Sequence, residues 1–189
     1  TPDGTVMRFG YDRANRPTSV GATLPGATSE TAFVSGIAYN ARGQRTHVAY
    51  GNGVSTDSSY DPDSLRLARL TTLRPASGAQ LQDARLTYDA RGNLTRVHEG
   101  ASDAIYFANA VVTGDTDYTY SAAGRLVRTL GREHAGQQLP TSWDDRVRIG
   151  LPQPGDGQAM QRYDESYTHD AAGNLMSISH AASGTSWTR

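Results

Sequence analysis

The sequence predicts an all-β fold made of tandem antiparallel hairpins, and three observations lead there. A short turn motif recurs along the chain: "YDRANRPTSV" from Tyr11, "YNARGQRTHV" from Tyr39, "YDARGNLTRV" from Tyr88, "YSAAGRLVRTL" from Tyr120 and "HDAAGNLMSISH" from His169. Between the copies, stretches such as "GIAYNA", "THVAYGNGV", "ARLTYDA" and "DAIYFANAVV" are rich in β-branched and aromatic residues with partial alternation. Sustained 3.6-residue periodicity is missing, which argues against amphipathic helices.

The turn motif carries its own geometry. In Tyr88-Asp89-Ala90-Arg91-Gly92-Asn93-Leu94, the aspartate suits the first position of a type I turn, because its carboxylate can accept a backbone N–H two residues on. Gly92 then supplies the left-handed residue that closes a three-residue hairpin loop with a bulge. With Ala90, Arg91 and Gly92 as the loop, Asp89 faces Asn93 and Tyr88 faces Leu94, a cross-strand pair worth roughly 0.2–1 kcal/mol. The same register sets Tyr120, with Gly124 in the loop, against Leu126. It sets His169, with Asp170 and Gly173, against Leu175.

Other copies keep the turn and change the pair. Tyr39, followed by Asn40 and Gly43, faces Arg45. Tyr11, followed by Asp12, faces Pro17 after a turn that places Asn15 in the left-handed region, which Asn tolerates next best after Gly. The stretch "YDPDSLRLARL", from Tyr60 and Asp61, has no glycine, so its loop is expected to be one residue longer. By simple alternation Leu94, Arg96, Arg45 and Arg128 fall on one side of the ribbon, a mixed polar and apolar face.

The markers Tyr11, Tyr39, Tyr60, Tyr88, Tyr120 and His169 recur at intervals of roughly 20 to 50 residues, the scale of supersecondary repeats. The whole of residues 1–189 therefore reads as one repeat segment. It is broken at about residues 131–162, where Pro140, Pro152, Pro154 and "PGDG" mark an irregular insertion. A helical turn is expected within it near Arg132 to Gln138, and the role expected of the insertion is to cover the sheet or to bind a partner.

Composition narrows the function classes. A formal charge of −1, from 18 basic and 19 acidic side chains, offers no concentrated field for nucleic acid or an anionic membrane. No run of about 18 apolar residues is present to span a bilayer. The chain has no cysteine, so disulfide staples and thiolate metal sites are both excluded. All the basic side chains are arginine; bidentate pairing with carboxylates and codon bias both account for that.

Chemistry is sparse. His47, His98, His134, His169 and His180 form no close ligand pair, and the adjacent Glu133 and His134 would point apart in a strand. Asp115 and Asp117 resemble the acidic pair with which some sugar-nucleotide enzymes hold a divalent metal, but turn and edge roles explain them equally. Asp144, Asp145 and Asp156 lie in loops where only two or three of the six or more oxygens that Ca²⁺ needs are local. Ser58 and Ser59 sit in an ordinary polar strand, and no nucleophile elbow, P-loop or dinucleotide fingerprint is present. No catalytic residue, metal or cofactor is expected. Tyrosine rows could stack on sugars; packing against the facing leucines is the plainer role.

These stretches resemble the tyrosine–aspartate (YD) repeats of Rhs proteins. "YNARGQRTHVAYGNGVSTDSSYDPDSLRLARL", "IYFANAVV", "YSAAGRLVRTLGREHAGQ" and "IGLPQPGDGQAMQRYDESYTHDAAGNL" are similar to the Rhs region of bacterial insecticidal toxin complexes, in their B and C components, and of SpvB-like large toxins. The resemblance covers nearly the whole chain. It implies a segment of a spiralling β-sheet shell that encloses a C-terminal toxic effector until delivery, secreted as part of a larger toxin. The partners it implies are the remaining repeats of the same or a companion chain, the enclosed effector and a translocation component, with no nucleic acid and no direct membrane insertion. The family's self-cleaving end, with aspartates near "DPxGL", is missing; "DPDSL" at Asp61 is only superficially alike. The alternative is an adhesion or carbohydrate- or protein-binding module, as in the related teneurin receptors, with Trp143 in the 131–162 insertion as its anchor.

Overall fold

The computed structural model describes residues 1–135, 157–183 and 185–189. Fifteen strands account for most of these residues. They fall into two compact units, Thr1–Arg85 and Leu86–Arg189.

The first unit is an antiparallel meander of β1 (Val6–Tyr11), β2 (Pro17–Thr23), β3 (Thr31–Tyr39), β4 (Arg45–Tyr50), β5 (Ser55–Tyr60), β6 (Leu67–Arg74) and most of β7 (Ala79–Tyr88). Each strand pairs with the next in sequence. In the second unit, the end of β7 is followed by β8 (Leu94–Glu99), β11 (Thr116–Tyr120), β12 (Leu126–His134), β13 (Met160–His169), β14 (Leu175–Ala182) and β15 (Thr185–Thr188). Between β8 and β11 the chain makes an excursion into a separate two-stranded ribbon, β9 (Ile105–Phe107) with β10 (Ala110–Val112). By hydrogen bonding, thirteen strands follow one another in the sheet order β1 to β8 and then β11 to β15.

Four of the predicted pairings are observed. Tyr11 pairs with Pro17, Tyr39 with Arg45, Tyr120 with Leu126 and His169 with Leu175. The glycine-free copy pairs Tyr60 with Leu67, one residue further along, and the left-handed position falls on Leu65, at φ 62°. Asn15, at φ 60°, stands in for the glycine of the other turns.

Simple alternation fails just beyond each pair. In the hairpin of Tyr120, Leu126 faces Tyr120 but Arg128 already faces Thr119, so Val127 is an extra, bulged residue. The same two-against-one step follows Tyr11, Tyr39, Tyr60 and His169. Because Thr119 and Tyr120 point to opposite faces, Leu126 and Arg128 do too. Arg45 therefore lies on the tyrosine side of its hairpin and Arg128 on the other side of its own, so the alternation that grouped them does not hold within either hairpin. A bulge inverts the phase of everything beyond it, and alternation read across it carries the wrong sign.

The ends of the expected insertion are also regular. Gly131–His134 complete β12 and Met160–Arg162 open β13, with Glu133 opposite Gln161. The expected helical turn is contradicted at Arg132–His134, which are extended because β13 offers them a ladder; Ala135 has left the strand for a 3₁₀ conformation, and Gly136, Gln137 and Gln138 lie outside the described residues. Trp143, Asp144, Asp145 and Asp156 lie outside them as well.

Few side chains are fully enclosed. The buried apolar residues are small, Ala22, Val48, Val54, Ala84, Val112 and Ala159, and several buried positions are polar, among them Asp83, Asp115, Gln161 and His180. Cross-strand pairs and satisfied polar groups must therefore supply much of what a thick core supplies elsewhere.

Candidate functional site

In a meander, alternate turns emerge at the same end of the sheet. Within the first unit that places the turns after Tyr11, Tyr39 and Tyr60 at one end. Within the second it does the same for the turns after Tyr88, Tyr120 and His169. At the opposite end of the second unit β8 and β12 finish and β11 and β13 begin. The repeated turns thus become neighbours in space, and their side chains interact.

Each turn is closed by its own acid, amide or hydroxyl. Asp89 Oδ1 accepts from Arg91 N at 2.9 Å and from Asn93 N at 2.8 Å, while Asn93 Nδ2 donates to Asp89 Oδ2 at 2.8 Å. Asp170 and Asn174 repeat this pairing. Asp12 does so with Arg16, whose Nε donates at 2.7 Å; Asn40 accepts from Gln44 N and, with the side-chain bond reversed, donates through Nδ2 to Gln44 Oε1. Asp61 accepts from Ser64 N. In the Tyr120 turn, Ser121 Oγ accepts from Arg125 N.

The donors lower the carboxyls below the usual carboxylate range. For Asp89 and Asp170 the asparagine side chain four residues on is the chief cause. For Asp12 it is the Arg16 backbone N–H, and for Asp61 the Ser64 hydroxyl.

The sequence reading missed that position four residues after the acid. Arg16, Gln44, Asn93, Arg125 and Asn174 occupy it, polar in the five copies with the shorter loop, while the longer turn after Tyr60 has Leu65 there; the signal is visible once the copies are aligned. Three of them also reach the next turn in the chain. Arg16 Nη1 donates to Asn40 O at 3.5 Å, Gln44 Nε2 to Leu65 O at 2.8 Å, and Arg125 Nη1 to Asp170 O at 2.8 Å. In the Tyr88 copy Arg91 takes over and donates to Ala122 O.

The tyrosines return the link. Tyr39 Oη donates to Pro17 O at 2.7 Å, and Tyr60 Oη donates to Arg45 O at 2.9 Å. In both cases the acceptor is the residue paired with the preceding tyrosine. Arg16 also stacks over the Tyr39 ring at 4.6 Å. The copies of Tyr11, Tyr39, Tyr88 and Tyr120 are therefore tied forward through their turns, and those of Tyr39 and Tyr60 backward through their rings, a use for both the aromatic and the polar turn residue of the motif.

Two polar clusters lie away from the turns. Asp115 is buried and accepts from Arg96 and from His98, with His98 Nδ1 2.8 Å from Asp115 Oδ1. Burial alone would push the Asp115 carboxyl up, but those hydrogen bonds outweigh it and hold the group below its usual range. Asp117 stands 3.7 Å from the same Arg96, so this acidic pair is neutralised by an arginine rather than set out to receive a metal. Among the described residues no group of three or more His, Asp or Glu could hold a metal ion. The adjacent Glu133 and His134 face Gln161 and Met160 respectively and point apart. Glu133 instead meets the buried His180, 47 residues on.

What these elements define is a class: a tandem YD-repeat β-sheet whose hairpins are stitched turn to turn. No protein-family model matches the chain. It is similar to toxin subunit YenC1 of Yersinia entomophaga, 36% identical over 196 residues, which covers 98% of this chain and 19% of that protein. Toxin subunit YenC2 of the same organism is 34% identical over 186 residues, with 96% and 19% covered. Among solved structures, TcdB2–TccC3 without its hypervariable C-terminal region matches with a TM-score of 0.78 at 30% identity, over 98% of this chain and 9% of that one. The Photorhabdus luminescens Tc holotoxin pore matches with a TM-score of 0.77 at 30% identity, over 98% of this chain and 8% of that one. The chain belongs to the Rhs/YD-repeat region of bacterial insecticidal toxin complexes. It spans about a fifth of the length of the toxin subunits it matches.

Proposed function

We propose that this chain is a wall segment of a secreted Rhs-type toxin shell, non-catalytic in itself, that helps to enclose a C-terminal effector before delivery. Its partners are then the neighbouring repeats of the same or a companion toxin chain, the effector, and the component that translocates it. The observation that carries the reading is the stitching of consecutive turns, Arg125 to Asp170 and Gln44 to Leu65 among them. Such links give a hairpin a satisfied neighbour on either side and suit a sheet extended by further copies. The likeness to TcdB2–TccC3 along 98% of the chain supports it.

The test is electron-microscope imaging of the full-length protein that carries this chain, with its C-terminal region attached. A closed hollow particle with weak internal density is expected. A solid or open particle with the C-terminal region outside would overturn the enclosure reading and turn attention to binding of glycans or receptors.

A further inference from the structure

His180 is the buried hub of the last four strands. Its side chain is 8% exposed. Its ring stacks on Trp187 of β15, with centroids 4.9 Å apart and planes at 5°, and on Tyr163 of β13 at 5.4 Å. Nδ1 lies 3.1 Å from Glu165 Oε1 of β13, and Nε2 lies 3.2 Å from Glu133 Oε2 of β12. One imidazole therefore joins β12, β13, β14 and β15.

The donor count decides the state of that ring. A neutral imidazole has one N–H and one acceptor nitrogen, so it can donate to only one of two carboxylates. The far oxygen of each glutamate is already used as an acceptor, so the extra proton has its place between an imidazole nitrogen and the carboxylate oxygen that faces it. Gln161 Nε2 donates to Glu133 Oε1 at 2.9 Å, and the Tyr167 hydroxyl donates to Glu165 Oε2 at 2.5 Å. Two further neighbours are Tyr163 and, beyond Trp187, Arg189. Burial, and then the charge of Glu165, push the Tyr163 phenol up to about 12, which keeps it neutral. Arg189 sits over Trp187, 5.1 Å from its centroid.

We propose that His180 is held as an imidazolium between Glu133 and Glu165, forming a proton-loaded latch across β12–β15 that releases as the pH rises. Losing the proton sets an acceptor nitrogen against a carboxylate oxygen inside a buried site, a repulsive and unsolvated contact. The closed latch binds one more proton than the opened one, so the stability of these strands falls with increasing pH. The latch is a property of the strands themselves and stands apart from the enclosure reading.

The test is hydrogen exchange on the full-length chain, read by mass spectrometry as the ratio of observed to intrinsic rates between about pH 6 and pH 9, a range that brackets imidazole titration. In the wild type, protection of β14 and β15 is expected to fall by about tenfold per pH unit across the range where the closed latch keeps a proton that the opened one has released, the slope of one proton, and to level off above it. Strand β6, which contains no histidine, serves as the internal control. In Glu165→Gln the new amide donates to Nδ1 while Nε2–H still serves Glu133, so a neutral ring is satisfied and the profile should be flat. Glu133→Gln should do the same from the other nitrogen. A flat wild-type profile, or a wild-type slope retained in both variants, would overturn the latch.

Discussion

Gly131 offers the sharpest stability test, because a single methyl group there has a calculable consequence. It pairs directly with Tyr163, whose ring lies across the space where a side chain would be. A Cβ at 131 would stand 2.5 Å from Tyr163 Oη, 2.6 Å from Cζ and 2.7 Å from Cε1, all far inside contact distance. The ring cannot give way freely, since its other side stacks on the buried His180. Overpacking costs about 1–3 kcal/mol, and a displaced aromatic stack about 0.5–1.5 kcal/mol more. We expect Gly131→Ala to destabilise the chain by about 2–4 kcal/mol in urea denaturation followed by circular dichroism. Gly36→Ala is the matched control: its Cβ would meet only Ala49 Cβ, at 4.0 Å, and the lost chain flexibility should stabilise by about 0.5 kcal/mol. Adding Tyr163→Leu to Gly131→Ala should recover at least about 1 kcal/mol relative to additivity. If the two glycine variants behave alike, or the double variant is additive, the ring does not depend on the glycine and the reasoning fails.

Two further outcomes follow from the turns. Arg125→Ala should cost about 1 kcal/mol, because a charge-assisted pair of bonds, part-buried to Asp170 O and exposed to Ala171 O, is lost. Hydrogen exchange should then quicken at residues 170–174, and Arg125→Lys, able to serve one carbonyl, should fall between. In acid, the turn aspartates set the sign: their folded-state carboxyls are lowered, so the stability they confer is complete above the ordinary carboxylate range, about 3.9, and is lost as pH falls through their lowered values. Asp89→Asn, which keeps an acceptor for Arg91 N and Asn93 N as Asn40 does in its own turn, should weaken that acid dependence at the Tyr88 hairpin. Asp89→Ala should loosen the turn at every pH; two-dimensional NMR of the turn amides distinguishes the cases.

The hairpins were legible because their information is local. A loop of Ala90, Arg91 and Gly92 is fixed by residues within a few positions, and the longer turn at Asp61 announces itself by lacking glycine. The face assignment was not legible, because a bulge such as that at Val127 shifts phase by one residue and leaves no mark in an alternation count. Strand at Gly131–His134 was hidden by nearby prolines; its ladder partner is Tyr163–Met160, about thirty residues on. The His180 cluster was invisible for the same reason. Glu133, Glu165, Tyr163 and Trp187 are assembled by the register of three strand pairs, and no spacing in the chain encodes them.

The order of the strands bears on how such a chain is made. Nearly every ladder joins neighbours in sequence across a short turn, so loop-closure entropy is low and contacts form locally. The stitches run the same way: Arg16, Gln44 and Arg125 each hold out a donor for a carbonyl that has yet to be synthesised. A ribosome could therefore lay this sheet down as a growing ribbon, each hairpin docking on the last finished edge as it emerges. The exposed strand waiting for a partner at any moment is then a single one, which limits the chance of aggregation while a very long β-chain is still being translated.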